Sequence, residues 1–436
     1  MPASANIPPI ALPFVSDHAK RTLDLVEKFV EEECIPAHAV FETQLGHGNA
    51  RWKSKPAILE GLKAKARRIG LWNMFMAGDH GAGFSNLEYG LMAEYLGQPT
   101  IRPLTGKHGT SSQVWHYGTE AAMAGPVDEG KVRSAFLMTE PDIASSDARN
   151  IRCDIRQDGD EYVINGSKWW SSGAGDPTCE LYIVMGKTTT ASDTGPYSQH
   201  SVILVPVDTP GITVHRMLSV YGHDDAPHGH GYITLQNVRV PMSNIVLGKG
   251  RGFEIIQGHL GPGRIHHSMR TIGAAERALE WMIARVNDET RMTFGKPLSA
   301  HGTIGEWIAK SRIEIDTAIL AVLNVAIKIN RDGAMGEIAA AKVLVPQTAL
   351  QVIDRANQAY GAAGVCQDTP LPGLWASART IRIVDGPDEV HLQQLGRREI
   401  QRLGKSAPEK IAAQNAEAGR LLACDGFSRG MLKASL

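Results

Sequence analysis

The sequence predicts an α+β fold in three successive parts: an N-terminal helical domain, a middle antiparallel β domain and a C-terminal helical bundle. Three observations carry this. Apolar residues recur at helical spacing up to about residue 130 and again from about 252. Between about 134 and 248 the period shortens to that of strands, in β-branched runs separated by Gly, Asn, Asp and Pro. At 436 residues with ordinary apolar content, the chain can bury a large core and fill two or three layers.

Residues 1–15 are Pro-rich, uncharged and short of apolar residues for a signal peptide, and read as a flexible arm. The helical domain spans 16–133. Ser16 precedes a segment in which Leu23, Val26 and Val30 share one face. Ser54 is expected to cap a second segment, with Pro56 in its first turn and Gly70 at its end. Ser85 and Glu88 form a capping box before "YGLMAEYLG". The β domain spans 134–248 and holds "EYVING", "LYIVMG", "SVILVPV", "GITVHR" and "GYITLQNVRVP", with a hairpin signal at Asn165–Gly166. From 249 to 405 three or four long amphipathic segments imply a bundle, and 406–436 reads as a helical appendage.

Several function classes drop out. A net charge of −1 leaves no basic footprint for nucleic acid. No apolar run approaches a membrane span. Five scattered cysteines without a CxxC pair argue for reduced thiols, a cytoplasmic location and no zinc site. The α–β–α order lacks the strand–helix alternation of a Rossmann sheet, so "GKGRGF" at 248–253 reads as a loose lead-in to a helix.

Five stretches could carry chemistry. "FLMTEPDIASSDARN" offers Thr139, Ser145, Ser146 and backbone N–H groups to a flat heterocycle or a pyrophosphate, although a loop of local turns is favoured from chemistry alone. In "NGSKWWSSGAGD" adjacent tryptophans point to opposite faces of a strand: one enters the core and the other needs a partner or a ligand. Core packing and cofactor stacking weigh equally there. "GPGRIHHSMR" places Arg264, His266 and His267 on a helix, where adjacent histidines diverge by about 100° and do not share a metal; one packed and one solvated is expected. "GHDDAPHGHG" at 222–231 could bind a metal or close over a ligand. In "TIRIVDGPDEVHLQQ", Asp385 ends an apolar run and is expected to be partly desolvated, as a general base requires. Asp388 and Glu389 look solvated or capping, and all three acids could be surface charges.

Together these segments resemble the acyl-CoA dehydrogenase family, in order, over roughly residues 16–405. "MTEPDIASSD" is similar to its TEPxAGSD flavin signature, with one residue more. "KWWSSGAG" is similar to the KxWITNG strand, "RMTFGKPL" to the RxxFG segment, "QAYGAAG" to the QxxGGxG turn and "VDGPDEV" to the YEGTxxI end. The details are closest to the branch of family members ten and eleven, associated with unusual acyl-CoAs including 4-hydroxy and 4-phospho chains.

The resemblance implies an acyl-CoA dehydrogenase-like fold with a C-terminal four-helix bundle, in a homotetramer built as a dimer of dimers. FAD would lie between the β domain and the bundle, with part of its site from a neighbouring subunit. By position, Phe136, Met138, Thr139 and Ser145 would line the flavin, Trp170 would pack on it and Ser172 would lie near its reactive nitrogen. Arg291, Phe294, Gln358 and Gly361 would reach the neighbour's FAD, and Glu389 belongs to the same cofactor set. Pro387 stands where the family has a threonine that touches FAD. Ser146, Arg264 and Gly386 would face the CoA thioester. Asp385 falls where most of the family places its catalytic glutamate; the minority position on the long helix is Gly263, which cannot act as a base. The implied activity is α,β-dehydrogenation of an acyl-CoA, with electron-transferring flavoprotein as acceptor. The alternatives are a flavin oxidase with an Asp base, as in nitroalkane oxidases, and an FAD-binding scaffold without turnover.

Overall fold

The computed structural model describes residues 1–75, 81–99, 133–188, 195–332 and 334–424. Helix α1 (Asp17–Phe29) starts where the Ser16 hydroxyl accepts the Ala19 N–H, and it buries Leu23 and Val26. One π turn (Val30–Cys34) leads to α2 (Ala37–Leu45), α3 (Ala57–Arg68) and α4 (Asn86–Tyr95). The expected capping box opens α4, and Glu88 also accepts the Ser16 N–H at 2.9 Å, tying the starts of α1 and α4 together. The expected Ser54 cap does not form. Helix α3 begins behind Pro56 without a side-chain cap, and Ser54 Oγ donates to the Gln44 carbonyl instead. Most of the shortened segment at 117–136 lies outside the described residues.

The arm expected to be flexible is packed. Ala3, Ile7, Ala11 and Val15 are buried, and the Ala3 and Ser4 N–H groups donate to Glu27 and Asp24 of α1. These four residues recur every fourth position, giving the arm a buried face that its low apolar content concealed.

The middle sheet comprises β1 (Arg133–Leu137), β2 (Asp154–Asp158), β3 (Glu161–Ser172), β4 (Cys179–Lys187), β5 (His200–Pro206), β6 (Ile212–Met217) and β7 (His230–Pro241). Its order is β1-β4-β2-β3-β7-β6, with β5 also on β4. It is mixed rather than wholly antiparallel, because β1 and β2 pair with β4 in parallel. The Asn165–Gly166 hairpin is also corrected. Strand β3 runs straight through that pair, and the turn lies one strand-end earlier, where Asp158 pairs with Glu161 and Gly159 has φ 64°. Gly166 serves close approach: a Cβ there would lie 2.9 Å from the Cys153 backbone. Asn165 accepts the Asn237 N–H across a register break.

Helices α5 (Gly252–Val286), α6 (Gly302–Asp332), α7 (Met335–Tyr360) and α8 (Leu371–Ile381) form the bundle, followed by α9 (Asp388–Leu403) and α10 (Ser406–Cys424). The start of α5 contributes Ile255 and Ile256 to the core of the sheet, and its middle contributes Ile265, Met269 and Ile272 to the helical core. One rigid helix therefore fixes the bundle against the sheet. Helix α10 buries none of its residues. All five cysteines are free thiols. No helix among the described residues is long and apolar enough to cross a membrane.

Candidate active site

Between α8 and α9 the chain turns through Asp385 (φ 56°) and Gly386 (φ 101°), two consecutive left-handed residues. Such a φ is unfavourable for aspartate and persists only where surroundings hold it. Side chains from three helices do so. Arg264 of α5 donates from Nε and Nη2 to the Asp385 carbonyl at 3.2 and 3.0 Å. Lys342 of α7 donates to the Ile381 carbonyl and lies 3.5 Å from that of Gly386. His391 Nε2 of α9 is 3.3 Å from the Asp385 carbonyl. Gly386 has no room for a side chain, since a Cβ would stand 2.9 Å from His391 Nε2.

The backbone of the turn is thus gripped while the Asp385 carboxylate is left to the site. Its side chain is 25% exposed, and Oδ2 lies 3.9 Å from His267 Nε2. Arg264 and His267 are one helical turn apart, so one face of α5 addresses both the carbonyl and the carboxylate of Asp385. His266 is packed, edge-on to Tyr89 at 4.5 Å, and burial, with Arg270 and His267 nearby, pushes it down to about 3. His267 is not simply solvated, because it faces Asp385. Asp388 is not solvated either: it is 3% exposed, with Arg382 Nε at 2.6 Å and Gln347 Nε2 at 3.3 Å. Glu389 is exposed in the first turn of α9.

Lys342 was not singled out in the sequence; a lysine among alanines and valines on a bundle helix is the signal that could have marked it. Burial pulls it down to about 8, Arg264 acts in the same direction, and Asp385 and Asp388 oppose. Between about 8 and its ordinary 10.5, the unfolded chain holds a proton that the folded chain has released, so stability rises with pH across that window. Below about 8 both states are charged and the burial penalty stands in full. Lys342→Met removes this dependence. The stability of wild type relative to the variant should rise by up to about 3 kcal/mol between the two values, followed by denaturant unfolding at a series of pH values. A constant difference would show that Lys342 does not titrate there.

The second group of residues lies at the end of β3. Lys168, fully buried, donates to Glu140 at 2.8 Å and to the Met138 and Met185 carbonyls at 2.9 and 2.7 Å. Glu140 accepts the Arg152 and Cys153 N–H groups. Thr139 Oγ1 donates to the Trp169 carbonyl at 2.7 Å, and the Trp169 N–H returns a bond to the Thr139 carbonyl. Ser145 Oγ sits 3.4 Å from the Glu140 backbone N and O, whereas Ser146 is exposed. Phe136 and Met138 are half-buried. These bonds fix the 136–146 loop to the strand.

The β3–β7 register breaks between Lys168 and Ser171, and there Trp170 has φ 51°. Trp169 is half-buried with its ring 6.4 Å from that of Trp170, which remains 39% exposed, so neither indole enters the core as strand alternation led us to expect. Ser172 Oγ lies 2.9 Å from His230 Nδ1. A re-aimed, exposed indole beside a hydroxyl and the half-buried Met138 and Thr139 fits a flat heterocycle such as the FAD ring.

The loop at 222–231 gathers no metal set: among the described residues no group of three or more possible ligands converges. Asp224 pairs with Arg51 at 2.7 Å, His228 with Asp176 at 2.6 Å and His230 with Asp225 at 3.1 Å. Tyr221 packs edge-on against Trp375 of α8 with centroids 5.3 Å apart. The loop therefore joins the sheet end carrying Trp170 to the helix that delivers Asp385.

The third group stands elsewhere. Arg291 (paired with Asp288 at 3.0 Å), Phe294 (φ 50°, 94% exposed), Gln358 and Gly361 (φ 62°) are all exposed. They share a corner, because Arg285 donates to the Tyr360 carbonyl and Arg291 lies close enough to influence the Tyr360 phenol. That corner is about 30 Å along α5 from Arg264, so these residues cannot surround the same reacting bond as Asp385.

Family models match in two blocks: the acyl-CoA dehydrogenase middle domain over residues 135–238 and the acyl-CoA dehydrogenase C-terminal domain over 250–400. Acyl-CoA dehydrogenase family member 11 of Gallus gallus is 47% identical over 413 residues, 91% of this chain and 52% of that protein. The chain belongs to the acyl-CoA dehydrogenase family. It spans about half the length of that relative, and 93% of FadE2 of Mycobacterium tuberculosis, a probable acyl-CoA dehydrogenase 45% identical over 86% of this chain. A solved Mycobacterium abscessus structure assigned to this family superposes with TM-score 0.81 at 42% identity, covering 89% of this chain and 99% of that one. The butyryl-CoA dehydrogenase of Megasphaera elsdenii shares the fold at TM-score 0.72 and 23% identity, over 88% of this chain and 99% of that one. The acyl-CoA dehydrogenase fold expected from the motifs is therefore present, and the family is one of flavin oxidoreductases.

Proposed function

We propose that the protein is an FAD-dependent acyl-CoA dehydrogenase with Asp385 as general base. The observation that carries this is the turn at 385–386: Arg264, Lys342 and His391 hold its backbone while the carboxylate stays half-buried and facing inward across α5. A base whose main chain is fixed from three sides keeps its carboxylate aimed at one carbon. Asp385 takes the proton from the carbon beside the thioester carbonyl. The backbone N–H at 385 donates to that carbonyl and so stabilises the charge that develops on it. FAD, when bound, supplies the hydride acceptor for the next carbon along.

Phe136, Met138, Thr139, Ser145, Trp170 and Ser172 hold the flavin ring in this reading, with Glu389 nearby, and Ser146, Arg264 and Gly386 face the thioester. Arg291, Phe294, Gln358 and Gly361 serve a neighbouring subunit's FAD. Their exposure and their distance from Asp385 support an oligomer in which sites are shared between subunits, a dimer of dimers in this family. A 4-hydroxy- or 4-phosphoacyl-CoA is the refinement we favour for the substrate, because the histidines of the 222–231 loop suit a polar acyl end. Electron-transferring flavoprotein is the proposed acceptor, and the free thiols suit a cytoplasmic location.

The test is a visible spectrum followed during anaerobic addition of acyl-CoAs, a 4-phosphoacyl-CoA among them. Flavin bands that bleach with one of them support the dehydrogenase. Flavin that stays oxidised with all of them turns the reading toward an oxidase or an inactive scaffold, and oxygen consumption without an added acceptor singles out the oxidase. A colourless protein after FAD is supplied rejects the flavin site itself.

A further inference from the structure

Two groups of the 222–231 loop take no part in the proton and hydride transfers above. His230 is the cross-strand partner of Ser172 in the β3–β7 ladder. Its Nδ1 lies 2.9 Å from Ser172 Oγ and its Nε2 3.1 Å from Asp225 Oδ2, and its ring is 5.5 Å from that of Trp170. Asp225, His230 and Ser172 thus form one hydrogen-bonded chain that ends beside the exposed face of Trp170.

We propose that the Asp225–His230–Ser172 chain sets the direction of the Ser172 hydroxyl toward the reactive nitrogen of the bound flavin and so tunes its preference for the oxidised or the reduced form. This rests on the reading of Trp170 and Ser172 as flavin contacts. A serine hydroxyl has one hydrogen to give. Asp225 accepts the Nε2 hydrogen, so a neutral His230 presents a lone pair at Nδ1. Ser172 then donates to His230 and turns its lone pairs outward, which suits a ring nitrogen carrying hydrogen. When His230 is protonated, Nδ1 donates to Ser172 Oγ and the serine hydrogen turns outward, which suits a bare ring nitrogen. The reduced ring therefore favours neutral His230 and the oxidised ring favours its cation.

Reduction accordingly releases the Nδ1 proton of His230: it passes to Ser172 Oγ as the outward serine hydrogen leaves to solvent, and Asp225 keeps the Nε2 hydrogen. Among the described residues, few groups face the imidazole. Asp225 is the charge in contact with it, and Ser172 and Trp170 face it from β3. Just after β6, the Leu218 N–H donates to the backbone carbonyl of His230. The Arg133–Asp176–His228 cluster lies two residues back along the chain.

The experiment is the midpoint potential of the bound FAD, measured between about pH 5 and 8 in wild type, His230→Gln, Asp225→Asn and Ser172→Ala. Proton release makes the wild-type potential fall less steeply with pH than that of His230→Gln, and Asp225→Asn displaces the shallow region along the pH axis. Identical slopes in wild type, His230→Gln and Asp225→Asn overturn the proposal. If His230→Gln releases its flavin, Asp225→Asn on the exposed loop decides by the same criterion. Ser172→Ala separates this proposal from the reading beneath it. If that variant keeps the wild-type potential and visible spectrum, Ser172 does not face the flavin. If Ser172→Ala shifts them but the other two variants do not, only the role of the chain fails.

Discussion

Asp385→Asn should slow anaerobic flavin reduction by acyl-CoA by about 10²- to 10⁴-fold, the usual contribution of a positioned general base. The amide has nearly the shape of the carboxylate but cannot take up a proton at neutral pH. The turn should survive the change, because Arg264 and His391 bind the carbonyl of residue 385 and Lys342 binds its neighbours; none depends on the carboxylate. Flavin content, substrate binding and unfolding midpoint should therefore stay close to wild type while the rate falls. Rapid anaerobic mixing, read at the visible flavin bands, gives the rate directly. Reduction of the variant at the wild-type rate would remove Asp385 as the base. Asp385→Glu is a useful companion: its extra methylene should retain part of the activity if only the placement of the base has changed.

Lys168→Met should destabilise the fold by about 3–5 kcal/mol, because it breaks a buried ion pair by removing one partner. Lys168 is fully buried and satisfies three acceptors, so its loss leaves the Glu140 carboxylate without its cation and the Met138 and Met185 carbonyls without a donor. Glu140 also positions the chain at Arg152 and Cys153, so the disturbance spreads along both sides of the 136–146 loop. A denaturant titration measures the cost. The double variant with Glu140→Gln should lose less than the sum of the single changes, since the uncompensated charge is then gone. A single-variant loss below about 1 kcal/mol would show that the pair is not held dry.

Helix α5 explains how widely separated motifs become one site. Its first turns enter the core of the sheet, its middle carries Arg264 and His267, and its last turns reach the corner near Tyr360. Arg264 and Asp385 are 121 residues apart in the chain and in direct contact in the fold. The loop from 218 to 230 ties the sheet to α8 from the other side, through Tyr221 and Trp375.

What depends on near neighbours was legible in the residues alone. Ser16, Ser85 and Glu88 start helices because a capping oxygen needs only the N–H groups a few residues on. Strand and helix periods separated the three parts. The rest was set by contacts between distant segments. Asn165–Gly166 has the composition of a hairpin turn, but the close approach of Cys153 and pairing with β7 keep it inside a strand. Asp388 has a polar local context, yet Arg382 and Gln347 bury it in a bonded pocket. The arm at residues 1–15 lacks apolar content but packs through small residues at fourfold spacing. Lys342, and the contacts that join His267 to Asp385 and His230 to Ser172, could not be read from the sequence, since each partner comes from a distant segment. Periodicity reports which face of an element is apolar. It carries no information about which buried or half-buried polar group from another element will meet that face, and those meetings hold the Asp385 turn in its left-handed geometry.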